Sequence, residues 1–205
     1  MSSYTDYIWA TLYNFIGNEY GVAGLMGNLQ AESGCIPFRL QGDFSGNYNA
    51  SIRYTQNVDD GSYTETQFVN DSRGYGLAQW TWYSRKQGLY DMWRNGGYSS
   101  IGDTGLGCAY LIYELQNSYP SVLAVLRSAT SVRQASDVVL HDFENPEQQG
   151  PEVEDVREQL SIAFYNQYAT GAPIPVPVPP DPVNPDAPTI PVWLYKKIAD
   201  NNRLY

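Results

Sequence analysis

Glu32 has the residue type and the placement of a proton donor. In the stretch GNLQAESGCIPF it follows an apolar row, Val22, Leu25, Met26 and Leu29, at i, i+3, i+4 and i+7, the spacing of a helix that buries one face. Three residues further on, the row reaches Glu32 on the flank of the stripe, so the acid is expected to point toward the core side. Gly34 and Pro37 are stop signals and set Glu32 in the last helical turn, where the macrodipole presents its negative end. Partial burial and that dipole both disfavour the anion, and a carboxylic acid kept protonated near neutral pH is what general acid catalysis needs. The same spacing also fits an ordinary exposed glutamate at a frayed helix end.

Other reactive residue types are few. Cys35 and Cys108 are the only cysteines and His141 the only histidine. One histidine argues against a His-rich zinc hydrolase centre, and neither a metal nor any other cofactor is expected. Cys35 as nucleophile with His141 as base would make an amidase or endopeptidase, but Cys35 follows a helix C-terminus, which does not favour a thiolate. No basic-then-apolar leader opens the sequence, so free, buried thiols are favoured over a disulfide. The net charge of -10 argues against a phosphate-driven nucleic-acid or anionic-membrane surface, which needs clustered Lys and Arg. A large polymer is expected to be held through neutral groups, and the 18 Tyr and 5 Trp supply flat faces with polar handles suited to sugars.

These residues need elements to place them. A first helix is predicted from Asp6 to Ile16, with Ile8, Leu12 and Phe15 on one face, followed by the Glu32 helix. From Ile36 to Arg73 the composition turns to Gly, Asn, Asp and Ser around the Asp-Gly signal in NVDDGSYTE, which predicts a small lobe of hairpin and loops. The helical period returns in SRKQGLYDMWRN, in TGLGCAYLIYELQ after an Asp103 N-cap, and in SVRQASDVVLHDF, where Ser131 and Gln134 have capping-box spacing. A last helix opens at Pro151 and is predicted to bury Val153, Val156, Leu160 and Phe164. From Ala172 to Pro191 the chain holds most of its prolines and is expected to be an extended linker. The division is therefore 1–171 as a globular domain, 172–192 as a Pro-rich linker and 193–205 as the start of a following segment or a docked tail. The fold class expected is α+β, mainly α, in two lobes with a cleft between them.

The segment GVAGLMGNLQAESG, followed some forty residues later by GYGLAQWTWYSRKQ, resembles the phage tail lysozyme family and, more distantly, goose-type lysozymes and lytic transglycosylases. The resemblance covers about residues 5 to 170. It implies a lysozyme-like two-lobed fold with a small β-hairpin lobe, cleaving the β-1,4 bond between N-acetylmuramic acid and N-acetylglucosamine in peptidoglycan. Glu32 matches the family's catalytic glutamate and Gln79 its cleft glutamine, whose amide can both donate and accept. Gly74 and Gly76 would let backbone approach the glycan. Tyr75 and Trp82 are the preferred stacking faces, with at least one of Trp80, Trp82 and Tyr83 expected to anchor the next helix instead. Glu144 in FENPEQQGP fits a structural partner.

Glycoside hydrolysis normally uses a second carboxylate. Asp71 stands nearly where goose-type lysozymes carry theirs, although a gapless match falls on Asn70, and Asp59, Asp60 and Glu65 are rivals. A lytic transglycosylase needs none, because the muramyl 6-hydroxyl attacks internally; hydrolysis with Asp71 is the preferred expectation. A catalytically inactive wall-binding module is the reading outside enzymes. The partner implied is the peptidoglycan glycan strand, with other phage tail proteins as further candidates and no nucleic acid or membrane. The location implied is the phage tail; an endolysin and a secreted or conjugation-associated wall hydrolase are the alternatives.

Overall fold

In the computed structural model, residues 4–43, 46–146 and 148–169 are described. The expected linker at 172–192 and the segment at 193–205 lie outside them. The elements are helices α1 (Tyr4–Ile16), α2 (Glu19–Ser33), α3 (Asn49–Asp59), α4 (Glu65–Asn70), α5 (Tyr83–Gly96), α6 (Thr104–Asn117), α7 (Pro120–Ser128), α8 (Val132–Val138), a π-helical turn (Val139–Glu144) and α9 (Pro151–Tyr168). No helix among the described residues is long and apolar enough to cross a membrane. The described chain forms two compact units, residues 4–7 with 33–110, and residues 8–32 with 111–169.

In the second unit α2 is the central element. Val22, Leu25, Met26 and Leu29 have no exposed surface, as their spacing predicts. The opposite side of the same helix is buried as well, through glycines at every third position. A Cβ on Gly21 would stand 2.0 Å from the Leu126 carbonyl oxygen, one on Gly24 2.5 Å from the Ala135 Cβ, and one on Gly27 2.0 Å from the Ser161 Oγ. α7, α8 and α9 therefore lie directly on the α2 backbone, at distances that only glycine allows. α2 ends where Gly34 turns left-handed at φ 67°, the stop that sequence spacing predicts.

The first unit departs from expectation. The segment expected to be a β-hairpin lobe is helical, α3 and α4 joined by a turn at Asp60–Gly61, and the only β pairings among the described residues are the isolated bridges Leu40–Tyr75 and Tyr75–Trp80. The helical period of α3 is carried by Ser51, Tyr54, Thr55 and Val58, all buried. Two of the four are polar and pass as surface residues in a hydrophobicity pattern. They are satisfied inside: the Ser51 hydroxyl donates to Asp43 at 2.7 Å, and the hydroxyls of Thr55 and Tyr75 are 2.7 Å apart. α4 begins with a full capping box between Thr64 and Gln67, so the residues after Asp-Gly start a helix and not a return strand.

α9 is turned from its predicted face. Leu160 and Phe164 are buried as expected, but Val156 is 53% exposed and Arg157 is 7% exposed. The buried row is Arg157, Leu160, Ser161, Phe164 and Tyr168, a helical stripe headed by a cation.

Candidate functional site

Glu32 sits in the last turn of α2, its side chain about one-fifth exposed. Its Oε1 accepts a hydrogen bond from Arg157 Nη2 at 2.5 Å. The other guanidinium nitrogen, Nη1, donates to the Asn28 carbonyl oxygen at 3.0 Å and to Asn28 Oδ1 at 3.3 Å. Asn28, fully buried, donates in turn to the Gly24 and Ser136 carbonyl oxygens at 2.9 and 3.1 Å. The carboxylate is therefore held on one oxygen by a buried guanidinium fixed to the preceding turn of the same helix. Among the described residues no hydrogen bond reaches Oε2. Burial and helix dipole were legible in the sequence; this cation, 125 residues away, was not. The signal that could have found it is the spacing of Arg157 to Leu160, Ser161 and Phe164, which puts it on the buried row once Val156 is assigned outward.

The other candidates lie in the first unit. Tyr75 and Trp80 pair through both backbone groups, 3.2 and 2.9 Å, and close a tight loop of residues 76–79. Gly76 turns at φ 78°, and a Cβ there would stand 2.8 Å from the Trp80 ring, so this glycine is required by the loop itself. Tyr75 corrects an expectation. Its ring is fully buried against Tyr54 and Phe68, with centroids at 5.4 and 5.6 Å, and it offers no face to a sugar. Trp80 is also buried, its ring edge-to-face with Tyr110 of α6 at 5.1 Å, whereas Trp82 and Tyr83 are 74% and 65% exposed. Gln79 Nε2 donates to the carbonyl oxygens of Arg39 and Gly76 at 3.1 and 3.0 Å. With its donors engaged by backbone, Gln79 offers a ligand only the acceptor Oε1.

Asp71 follows α4, its side chain 9% exposed. Oδ1 accepts from Lys86 Nζ at 2.5 Å and from the Arg73 N–H at 3.0 Å; Oδ2 accepts from the Tyr54 and Tyr63 hydroxyls at 2.5 and 3.2 Å. Four donors fill the roughly four acceptor positions of a carboxylate. Burial opposes this anion, but the bonds from Lys86, Tyr54 and Arg73 overcome it and hold Asp71 below the usual aspartate value. Lys86 has no exposed side-chain surface and also donates to the Arg73 carbonyl oxygen at 3.1 Å. Of the rival carboxylates, Asp59 accepts from the Ser100 hydroxyl and the Ile101 N–H at 2.7 and 2.8 Å, Asp60 from the Ser62 N–H at 2.8 Å, and Glu65 from Gln87 at 2.9 Å. Asn70 is exposed at the end of α4 and donates to the Thr66 carbonyl oxygen at 2.8 Å.

The thiol alternative loses its chemistry. Cys35 and Cys108 are buried and not joined in a disulfide, and burial pushes both thiols well above the ordinary cysteine value, the opposite of an activated nucleophile. His141, in the second unit, is engaged elsewhere, with Nδ1 2.9 Å from Gln149 Oε1 and Nε2 2.9 Å from Glu154 Oε1. The bond to Gln149, then the one to Glu154, raise its pKa above 6.5. Because the folded value lies above the unfolded one, the stabilisation is complete below about pH 6.5 and is lost as pH rises through the folded value. The midpoint of thermal unfolding is therefore expected to decrease as pH rises above about 6.5, and the His141→Gln variant to lose that slope. An identical slope in the variant would assign it to another group.

Compared with known proteins, residues 4–168 match the model of a family described as phage tail lysozyme. No curated protein and no solved structure matches the chain.

Proposed function

The chain belongs to the phage tail lysozyme family, and from that membership we propose that it cleaves the β-1,4 bond between N-acetylmuramic acid and N-acetylglucosamine, with Glu32 as the proton donor. Membership alone carries the coarser statement, a peptidoglycan-lytic, lysozyme-like enzyme of phage. The observation that supports Glu32 is its fixed carboxylate, with Oε1 bonded to Arg157 and Oε2 left for a proton. In the proposed reaction that proton passes to the glycosidic oxygen, and the C1–O bond breaks with its electron pair on that oxygen. Water then adds to C1 and gives its own proton to the Glu32 carboxylate, which restores the acid. Gln79, through Oε1, and the exposed Trp82 are the glycan-binding side chains of this reading, with the Gly76 backbone beside them. Delivery on the phage tail, where other tail proteins would be its neighbours, is part of the same proposal.

Asp71 favours a second reading. With its acceptor positions filled it is poorly placed to activate water, and a mechanism with one carboxylate also suits attack by the muramyl 6-hydroxyl, whose proton would return to Glu32 in the same way. Mass spectrometry of peptidoglycan digested by the purified protein separates the two. Reducing muramic ends are the expected product, and 1,6-anhydromuramic ends, lighter by one water, would establish transglycosylation. Release of stem peptides with intact glycan would overturn both.

A further inference from the structure

The feature of the second unit that the proposed chemistry leaves unused is the cation under its acid. Arg157 is 7% exposed, and a buried guanidinium is costly unless its donors are placed. Here they are placed on one helix, at successive turns. Nη1 binds the Asn28 carbonyl oxygen and side chain, and Nη2 binds Glu32 Oε1. Asn28 is itself tied to the Gly24 carbonyl oxygen and, across to α8, to the Ser136 carbonyl oxygen and hydroxyl at 2.9, 3.1 and 3.3 Å. The Ser161 hydroxyl, one turn along α9 from Arg157, reaches back to the Arg157 carbonyl oxygen at 2.8 Å and to the Gly24 carbonyl oxygen at 3.4 Å. Close contact at Gly24 and Gly27 brings α8 and α9 near enough to α2 for this network to form. A terminal helical turn is ordinarily the part of a helix most given to fraying. This one is pinned by a fork whose base is fixed to the buried turn beneath it.

We propose that Arg157 is a positioning residue for proton donation by Glu32. It holds Oε1 so that Oε2 alone carries the proton outward, and it meets the negative charge that develops on the carboxylate as the proton leaves. The inference rests on the reading of Glu32 as the acid. Its physical content is a difference between two states. A neutral carboxylic acid beside a guanidinium gains one hydrogen bond, whereas the carboxylate formed during C–O cleavage gains a charge-assisted one from a donor already in place. An interaction stronger in the transition state than in the ground state lowers the barrier.

The consequence can be read from three variants on purified peptidoglycan. Arg157→Met, apolar and of similar length, is expected to lower kcat about a hundredfold, the scale for removing one preorganised donor, with KM little changed. Arg157→Lys keeps the charge without the fork; it is expected to recover part of the kcat that the Met variant loses. Glu32→Gln is the control for the underlying assignment. If Glu32→Gln is inactive while Arg157→Met folds and shows the parent's kcat, the positioning role is overturned and the acid stands. If Glu32→Gln is active, the catalytic reading itself falls. Should Arg157→Met fail to fold, the Lys variant decides: full kcat without the fork overturns the proposal.

Discussion

Glu32→Gln is expected to fold as the parent does and to cleave glycan about a thousandfold more slowly, within the 10² to 10⁴ that general acid catalysis supplies. The amide keeps the shape of the side chain and an oxygen that can still accept from Arg157, so the buried guanidinium retains its partners. What it lacks is a transferable proton, and without one the leaving alkoxide must depart unprotonated. Circular dichroism and thermal unfolding check the first half of the expectation, and release of soluble muropeptides checks the second. Turnover near that of the parent, in a variant shown to be folded, would remove Glu32 from the chemistry whatever its position on α2.

That position was legible because α2 states it twice. The apolar row from Val22 to Leu29 fixes which side of the helix is buried, and Gly34 fixes where it stops. α1, α5, α6 and the start of α8 were legible for similar reasons of spacing and capping, as with the Asp103 side chain that accepts from the Leu106 N–H at 3.0 Å. In α8 the cap is shifted by one residue from a true box. Ser131 accepts from the Gln134 N–H, but the Gln134 side chain takes the N–H of Thr130.

What was not legible falls into two physical kinds. In α3, polar residues occupy the buried stripe, and a Ser or Thr that is hydrogen-bonded inside the protein looks in the sequence like one that faces water. In α9, Arg157 and Val156 exchange the sides that hydrophobicity assigns them, because the guanidinium finds fixed acceptors on α2 and the valine finds none of that value in the core. Both errors come from partners outside the helix itself, which its own pattern does not contain. Tyr75 is the converse case. Its place in a GYGL run suggests a sugar platform, yet the bonded pair it forms with Trp80 and the hydroxyl of Thr55 draw the ring inward, and the exposed aromatic faces fall on Trp82 and Tyr83.

Asp71→Asn is the second large effect, and it is expected in stability before chemistry. The substitution leaves the Lys86 ammonium with no exposed surface and without its counter-ion; removing one partner of a buried pair typically costs about 3 to 5 kcal/mol. Tyr54 and Tyr63 would lose the strong acceptor they share. The pH dependence has the same origin. Asp71 is held below its ordinary value of 3.8, so its contribution is present above about pH 4 and is lost as pH falls through the folded value. A second substitution, Lys86→Met, separates structure from catalysis, because removing both charges leaves no unpaired ion and the double variant is expected to recover most of the lost stability. If Asp71 only fastens residues 71–73 to α5, the folded double variant also recovers most of its glycan cleavage. If Asp71 were the base that activates water, the double variant would be stable and inactive, and the second carboxylate would return to the mechanism. Chemical denaturation of the two single variants and the double, read beside kcat for each, closes that cycle.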